Sequence, residues 1–410
     1  MAQGEPDRES RGRAPRLLTV SNFFDTHRGG LEIVAGRLAR ELAAKGFEVS
    51  WLATRATPVP DDAGEVVTMP VGAWNIAERR LGVPFPMLGP AAAQRLFGEV
   101  RRHDAVLLHD SLYPISLLTA LAAKLHRKPL VVIQHIGAVP YRNPLLRGLM
   151  AAANRCVARP LLAGADQAVF ISEFVHRFFA RAAFRRPPEL VFNGVDAELF
   201  APGDRQAARA GLQLDPDRPI ALFVGRFVDK KGLHFLQRAA ALRPDMQWVL
   251  AGWGVIDPMA WGLPNVRVFS DLSGRGLAEL YRAADVFVLP SCGEGFPLVI
   301  QEALSCGLPV VCGAETLEAD PAAAPFLAGV ELAGDPDKVS RALVRTVGEV
   351  LAGAAHDRGA AAQRRELVVQ RYAWSAAADR YAAILRRVIR DRRETRRVAQ
   401  AADLVAGDAR

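Results

Sequence analysis

Two carboxylates, Glu294 and Glu302, stand eight positions apart in the stretch Ser291-Cys292-Gly293-Glu294-Gly295-Phe296-Pro297-Leu298-Val299-Ile300-Gln301-Glu302. An apolar run, Asp285–Pro290, precedes them and reads as a buried strand, while Ala303 and Leu304 continue a helix as far as Gly307. Strand, glycine-bearing loop and helix start make a place to bind an anion or a sugar. The helix N-terminus presents unpaired N–H groups and the positive end of a dipole. If both residues were helical they would lie about 12 Å apart along the axis, roughly on one side. Pro297 favours the first turn of a helix, which leaves Glu294 on the loop rim and Glu302 one to two turns in. Taken alone, the two read equally as an acid–base pair or as contacts to the two ends of one long ligand.

Cations recur at comparable places. Arg226 follows a strand end, and Lys231 opens a helix five residues later. Two positive side chains beside a helix start suit a diphosphate, although solvated surface cations are the ordinary alternative. His135 ends the apolar strand Val131-Val132-Ile133-Gln134, where it can hydrogen-bond a sugar hydroxyl or carry a proton. The alternatives are a buried, satisfied histidine, or His109 in the same role from the end of another strand. Gly29-Gly30 after the first strand lets the chain approach a phosphate or an acceptor closely, or is simply a turn. Asp215-Pro216-Asp217 and Asp335-Pro336-Asp337 have the DxD spacing of a metal–diphosphate ligand, but the intervening prolines and turn contexts favour capping. No metal is expected.

The elements that must hold these residues alternate. Strands are expected at 16–20, 47–53, 104–109, 129–135, 167–171 and 189–193, with helices at 31–42, 112–126, 143–163 and 172–183. Ala201-Pro202-Gly203-Asp204 reads as a linker, after which the pattern restarts. Strands are expected at 219–224, 247–251, 266–269, 286–289 and 309–312, a helix at 232–242, and helical, Ala- and Arg-rich sequence over 336–399. Such alternation implies parallel, doubly wound sheets whose ligands sit at the carboxyl ends of strands. The candidate residues do follow strands.

Size and composition bound the rest. A chain of 410 residues, half of them hydrophobic, is expected to fold as two globular domains. The polar opening reads as a disordered leader over 1–15. No uncharged apolar run approaches the ~18–20 residues of a membrane-spanning helix. Four cysteines (Cys156, Cys292, Cys306, Cys312) show no metal-ligand spacing and fit free thiols in a reducing cytoplasm. The net charge of +8 admits a nucleic acid, an anionic membrane or a phosphorylated substrate. No stacking-aromatic motif supports the nucleic acid. The basic, aromatic run Val175–Arg186 is a candidate for peripheral membrane contact, with an ordinary sheet-packed helix as the plainer reading.

Gly29-Gly30-Leu31-Glu32, Asn193-Gly194-Val195-Asp196, Gly225–Gly232 and Glu294–Glu302, in this order and spacing, resemble the retaining glycosyltransferases often called glycosyltransferase family 4. The resemblance covers roughly 16–390. It implies the α/β GT-B architecture, two Rossmann-like domains facing across a cleft with a C-terminal helix crossing back. The expected domains are an acceptor domain over 16–197, a nucleotide-sugar domain over 198–372, a crossover helix over 373–390 and a basic tail over 391–410. It further implies a nucleoside-diphosphate sugar as donor, no cofactor, and a glycan, glycolipid or small-molecule acceptor. Arg226 and Lys231 would then hold the diphosphate, with Gly29 and Gly30 near it. Glu302 would hold the ribose hydroxyls. Glu294 and His135 would lie by the transferred sugar, and the backbone of Gly295, Phe296, Pro297 and Leu298 would hold sugar hydroxyls or phosphate. Other readings on the same fold are an epimerase-like enzyme and a non-catalytic scaffold. Departures from the family pattern at Gly313–Glu318 and Ser270–Ser273 leave the base and the sugar open.

Overall fold

The computed structural model describes residues 13–27, 29–55, 58–74, 86–137, 144–293, 295–354 and 359–408. Most of the expected leader therefore lies outside the described residues. The strands are β1 (Arg16–Val20), β2 (Glu48–Thr54), β3 (Val67–Val71), β4 (Ala73–Trp74), β5 (Met87–Leu88), β6 (Ala105–His109), β7 (Leu130–Gln134), β8 (Gln167–Phe170) and β9 (Glu189–Leu190). They continue with β10 (Ile220–Val224), β11 (Gln247–Ala251), β12 (Val266–Phe269), β13 (Val286–Leu289), β14 (Val310–Gly313) and β15 (Leu327–Val330).

Seven strands form one sheet in the order β3-β2-β1-β6-β7-β8-β9, and six form another in the order β12-β11-β10-β13-β14-β15. In the first, β1 pairs in parallel with both β2 and β6; in the second, β10 does so with β11 and β13. All residues of β6, β7, β10, β13 and β14 are buried, as near-continuous apolar runs covered on both faces should be. Strand order reverses between β1 and β6, and again between β10 and β13. Where order reverses, the loops leaving the two neighbouring strands diverge and open a crevice at their carboxyl ends.

The chain folds as two compact units. One holds the chain to Val132, Gly164–Gln167 and Tyr381 onward; the other holds Ile133–Ala163 and Ala168–Arg380. In the second unit a large core joins β10, β11, β13 and β14 to Phe296, Ile300, Val347 and Tyr372. Asp285 anchors the start of β13, accepting hydrogen bonds from the buried Arg209 at 2.6 Å and from the Ile220 backbone at 2.7 Å. Near the end of this unit Tyr372 and Arg371 both donate to the fully buried Asp320. The Val195 N–H donates to the Tyr372 carbonyl at 2.8 Å, which fixes the segment leading into the helix Trp374–Asp408.

Several boundaries depart from expectation. The helix expected over 172–183 stops at Phe179, because Phe179 stacks on Phe170 and the chain turns so that Phe184 meets the same ring edge-on at 5.8 Å. The strand expected at 189–193 is only two residues long. The helix Trp374–Asp408 runs unbroken through the segment read as a tail.

Candidate functional site

The loop leaving β10 is zipped to the loop leaving β11. The Gly225 N–H donates to the Ala251 carbonyl at 3.0 Å, and the Phe227 N–H to the Trp253 carbonyl at 2.7 Å. In return the Ile256 N–H donates to the Phe227 carbonyl at 3.1 Å. Phe227 is buried, so the loop has an apolar root. Arg226, beside it, is only half-buried, and its guanidinium carbon lies 4.8 Å from the centre of the Trp253 ring. Such stacking contributes about 0.5–2 kcal/mol and fixes the plane of the guanidinium. Its Nε is buried and has no hydrogen-bond partner within the protein.

Lys231 does not open the following helix, as the spacing predicts. It ends the short 3₁₀ turn Asp229–Lys231, and Gly232 intervenes before the helix Leu233–Leu242. Gly232 adopts a left-handed conformation, φ 73°, and a Cβ there would sit 2.0 Å from the Pro290 carbonyl oxygen. Only glycine meets both demands. The consequence is that the loop after β10 presses directly on the end of β13. A backbone bond adds to this contact, the Cys292 N–H donating to the Lys230 carbonyl at 3.2 Å.

Beyond Cys292, the Gly293 N–H points to the Glu315 carboxylate at 3.4 Å. Glu294 lies outside the described residues. Gly295 sits against the backbone of His135: a Cβ there would be 2.9 Å from the His135 carbonyl oxygen and 3.1 Å from Ile171. Phe296 turns its ring into the core, 1% exposed, against Phe192 and Tyr372, so only its backbone is available to a ligand. Pro297 is the extended N-cap of the helix Leu298–Ser305, not a member of its first turn. The Ile300 N–H already donates to the Pro297 carbonyl at 3.0 Å, which leaves the earlier amides of Leu298 and Val299 for other partners.

Glu302, the fifth residue of this helix, is partly covered, and its Oε2 accepts the Tyr281 hydroxyl at 2.7 Å. Burial pushes the Glu302 carboxyl up to about 7, and the Tyr281 hydrogen bond pulls the other way. Tyr281 is fully buried, and both burial and the Glu302 charge hold its hydroxyl far above the ordinary range. It is a permanent donor. Nothing in the spacing pointed to it, since Tyr281 lies on a different helix, Gly274–Ala283, and its position reads as plain core.

His135 follows β7 directly and is 5% exposed. Burial drives its imidazole down to about 3, so it is neutral at ordinary pH. His109, its competitor, ends β6 and is fully buried. In the other unit, Gly29 is the N-cap and Gly30 the first residue of the helix Gly30–Ala44. The Glu32 side chain folds back over Gly29, its Oε2 lying 2.1 Å from where a Cβ would stand.

Other motifs resolve into structure. Asp215 accepts the backbone N–H groups of Asp217 and Arg218, each at 3.0 Å, and Asp335 accepts that of Asp337 at 3.0 Å. The first DxD segment is a turn, and the second caps the start of the helix Pro336–Ala354. In the basic run, Val175 and Phe179 are buried and Arg177 pairs with Glu318 at 2.8 Å, which is the plainer reading of that helix. All four cysteines are free thiols.

Comparison with known proteins adds to this geometry. The chain matches the family model described as Glycosyltransferase Family 4 over residues 28–199 and that described as Glycosyl transferases group 1 over 204–323. A D-inositol 3-phosphate glycosyltransferase of Mycolicibacterium vanbaalenii is 31% identical over 322 residues, covering 70% of each chain. Among solved structures, sucrose-phosphate synthase from Thermosynechococcus elongatus superposes with a TM-score of 0.74 at 22% identity, over 92% of this chain and 100% of its own. HepE from Anabaena in complex with UDP and glucose superposes with a TM-score of 0.67 at 17% identity, over 90% of this chain and 99% of its own. These two likenesses are of fold.

Proposed function

The chain belongs to the glycosyltransferases of group 1 and family 4, with the α/β GT-B fold, and on that premise we propose retaining transfer from a nucleoside-diphosphate sugar to a hydroxyl acceptor. The observation that carries the assignment of residues is the bond between two loops. The Cys292 N–H to Lys230 carbonyl contact, at 3.2 Å, ties the segment bearing Arg226 and Lys231 to the segment bearing Gly295 and Glu302. Both leave strands that flank the order reversal between β10 and β13. One donor then spans them.

In this reading Arg226, held flat by Trp253, and Lys231 take the diphosphate charge, which grows as the leaving group departs. Glu302, with one oxygen engaged by Tyr281, offers the other to the ribose hydroxyls. The Leu298 and Val299 amides and the Gly295–Pro297 backbone accommodate phosphate or sugar. Gly29 and Gly30, at the start of the helix Gly30–Ala44, are assigned by the family resemblance to close approach by a phosphate or the acceptor. His135, neutral, hydrogen-bonds the transferred sugar and supplies no positive charge of its own. Glu294, whose placement lies outside the described residues, is assigned by the family resemblance to the sugar hydroxyls or the sugar's developing positive charge. In the transfer the bond from the anomeric carbon to the phosphate oxygen breaks and that to the acceptor oxygen forms on the same face. The acceptor proton leaves with the departing phosphate.

HepE, which shares the fold, is recorded with UDP and glucose; a UDP-sugar is accordingly the first donor to try here. Arg226→Ala and Glu294→Ala should each lower transfer, and donor hydrolysis with it, by at least about a hundredfold. Unchanged turnover in both variants, with the melting temperature preserved, would overturn the site.

A further inference from the structure

Asp320 is a carboxylate with no exposed surface, and the fold fills it with hydrogen bonds. It lies between the turns Ala314–Glu318 and Ala324–Phe326. Its Oδ1 accepts the Ala322 N–H at 3.0 Å and an Arg371 guanidinium N–H at 2.9 Å. Its Oδ2 accepts the Arg371 Nε–H and the Tyr372 hydroxyl. Together these donors use the whole accepting capacity of the group. Burial first, and then the bond to Asp320, hold the Tyr372 hydroxyl above the ordinary tyrosine range, so it stays a donor. A buried ion pair is a poor source of stability, because desolvation offsets much of the attraction. What a fully bonded group of this kind supplies is a fixed geometry.

The groups it fixes carry rings. Arg371, gripped through its guanidinium, lays that group's carbon 4.8 Å from the centre of the Phe192 ring. Tyr372 is gripped at its hydroxyl and, at its other end, by the Val195 N–H, which donates to its carbonyl at 2.8 Å. Tied at both ends, its ring cannot swing. The Phe192 and Tyr372 rings, 5.5 Å apart, form a platform for Phe296, whose ring lies 6.1 Å from the first and 5.4 Å from the second. Phe296 is the side chain that plugs the loop after β13 into the core. Gly295 beside it already presses on the His135 carbonyl, so the loop has no slack on that side. The Gly295–Pro297 backbone, and the Leu298 and Val299 amides after it, therefore take their position from the platform.

We propose that Asp320 is a positioning residue for the donor: through Arg371 and Tyr372 it sets the aromatic platform that seats Phe296, and with it the loop entering the helix Leu298–Ser305. Asp320 itself touches no substrate. This role rests on the donor site proposed above.

Two variants of the full chain test it. Tyr372→Phe keeps the ring and removes one bond to the carboxylate, while Asp320→Asn keeps the shape and sets an amide N–H against a donor. Should Asp320→Asn not fold, Tyr372→Phe carries the test alone. Val347→Ala, in the same core on the helix Pro336–Ala354, controls for general loosening. Amide hydrogen exchange is followed in the peptide 295–304, where the Ile300 N–H bonded to the Pro297 carbonyl reports the seating of the loop, and in the peptide 220–224 of β10. Affinity is measured by titration calorimetry with whichever of UDP, GDP and ADP binds the wild type most tightly, with Arg226→Ala as the reference. Both platform variants should speed exchange in 295–304 by about tenfold and leave 220–224 unchanged. They should also weaken nucleotide binding about tenfold, the size expected for a hydrogen bond to a charged group. Val347→Ala should do neither. Wild-type exchange at 295–304 in Tyr372→Phe would overturn the proposal, as would exchange that rises equally in both peptides. If the platform variants bind nucleotide normally while Arg226→Ala does not, the donor site stands and the role of Asp320 falls. If Arg226→Ala also binds normally, the donor site falls and takes the role of Asp320 with it.

Discussion

Glu302 is a carboxylate in a place that resists its charge, and Tyr281 is the group that makes the charge tolerable. Burial raises the Glu302 carboxyl to about 7, so in the free protein it is largely protonated below that pH. Ribose hydroxyls are best held by the ionised form, which accepts from both. Donor affinity should consequently rise with pH through about 7 and level off above it. Cys306, the other titratable group that senses Glu302, is pushed by burial up to about 12 and does not ionise in this range. Tyr281→Phe removes the one hydrogen bond that favours the carboxylate, so the rising limb should move to higher pH. The donor KM should increase about tenfold at pH 7, the size expected for a hydrogen bond to a charged group, with kcat little changed. A limb that stays in place while KM rises would make Tyr281 merely a packing residue. This partner was invisible in the sequence because a tyrosine at a helical core position advertises its ring and not its hydroxyl.

At the scale of elements, the glycines carried the most legible information. The strands that alternate with helices were readable from short apolar runs, ended by Gly252 after β11 and by Pro290 after β13, and β1, β11, β12 and β13 fall where those runs predict. β3, β4, β5 and β15 were not readable. β3 is mostly half-exposed and contains Pro70, β4 and β5 have two residues each, and β15 carries Gly329, so none presents a continuous apolar signal. Pro297 and Lys231 were each placed inside a helix that starts one or two residues later, because spacing counts residues without seeing the backbone turn between them. Gly232 is that turn. Gly232→Ala would force a side chain into a left-handed residue, costing about 1–2 kcal/mol, and push it against the Pro290 carbonyl. The loops after β10 and β13 would have to separate. The melting temperature should fall by several degrees and nucleotide affinity by more than tenfold, measured by calorimetry on the same sample. Wild-type affinity in Gly232→Ala would show that the donor does not need the two loops in register.

At the scale of the molecule, Arg226, Lys231, Gly295, Glu302 and His135 all belong to one of the two compact units, that of Ile133–Ala163 and Ala168–Arg380. Gly29 and Gly30 belong to the other. A nucleoside diphosphate without its sugar should then stabilise mainly the unit that holds its phosphates and ribose. At a hundredfold excess over Kd, binding to the folded form adds about 2.7 kcal/mol. For a unit of this size that corresponds to roughly 5–10 °C in melting temperature. Scanning calorimetry with UDP, GDP and ADP in turn should show the transition of that unit rising with one of them more than with the others. If the two units unfold together, the whole transition should move. The same scan on Arg226→Ala should show most of the increment gone, since the guanidinium over Trp253 is the fixed cation of the proposed diphosphate site. An undiminished increment in Arg226→Ala, or a shift confined to the transition of the other unit, would place the nucleotide elsewhere on the molecule.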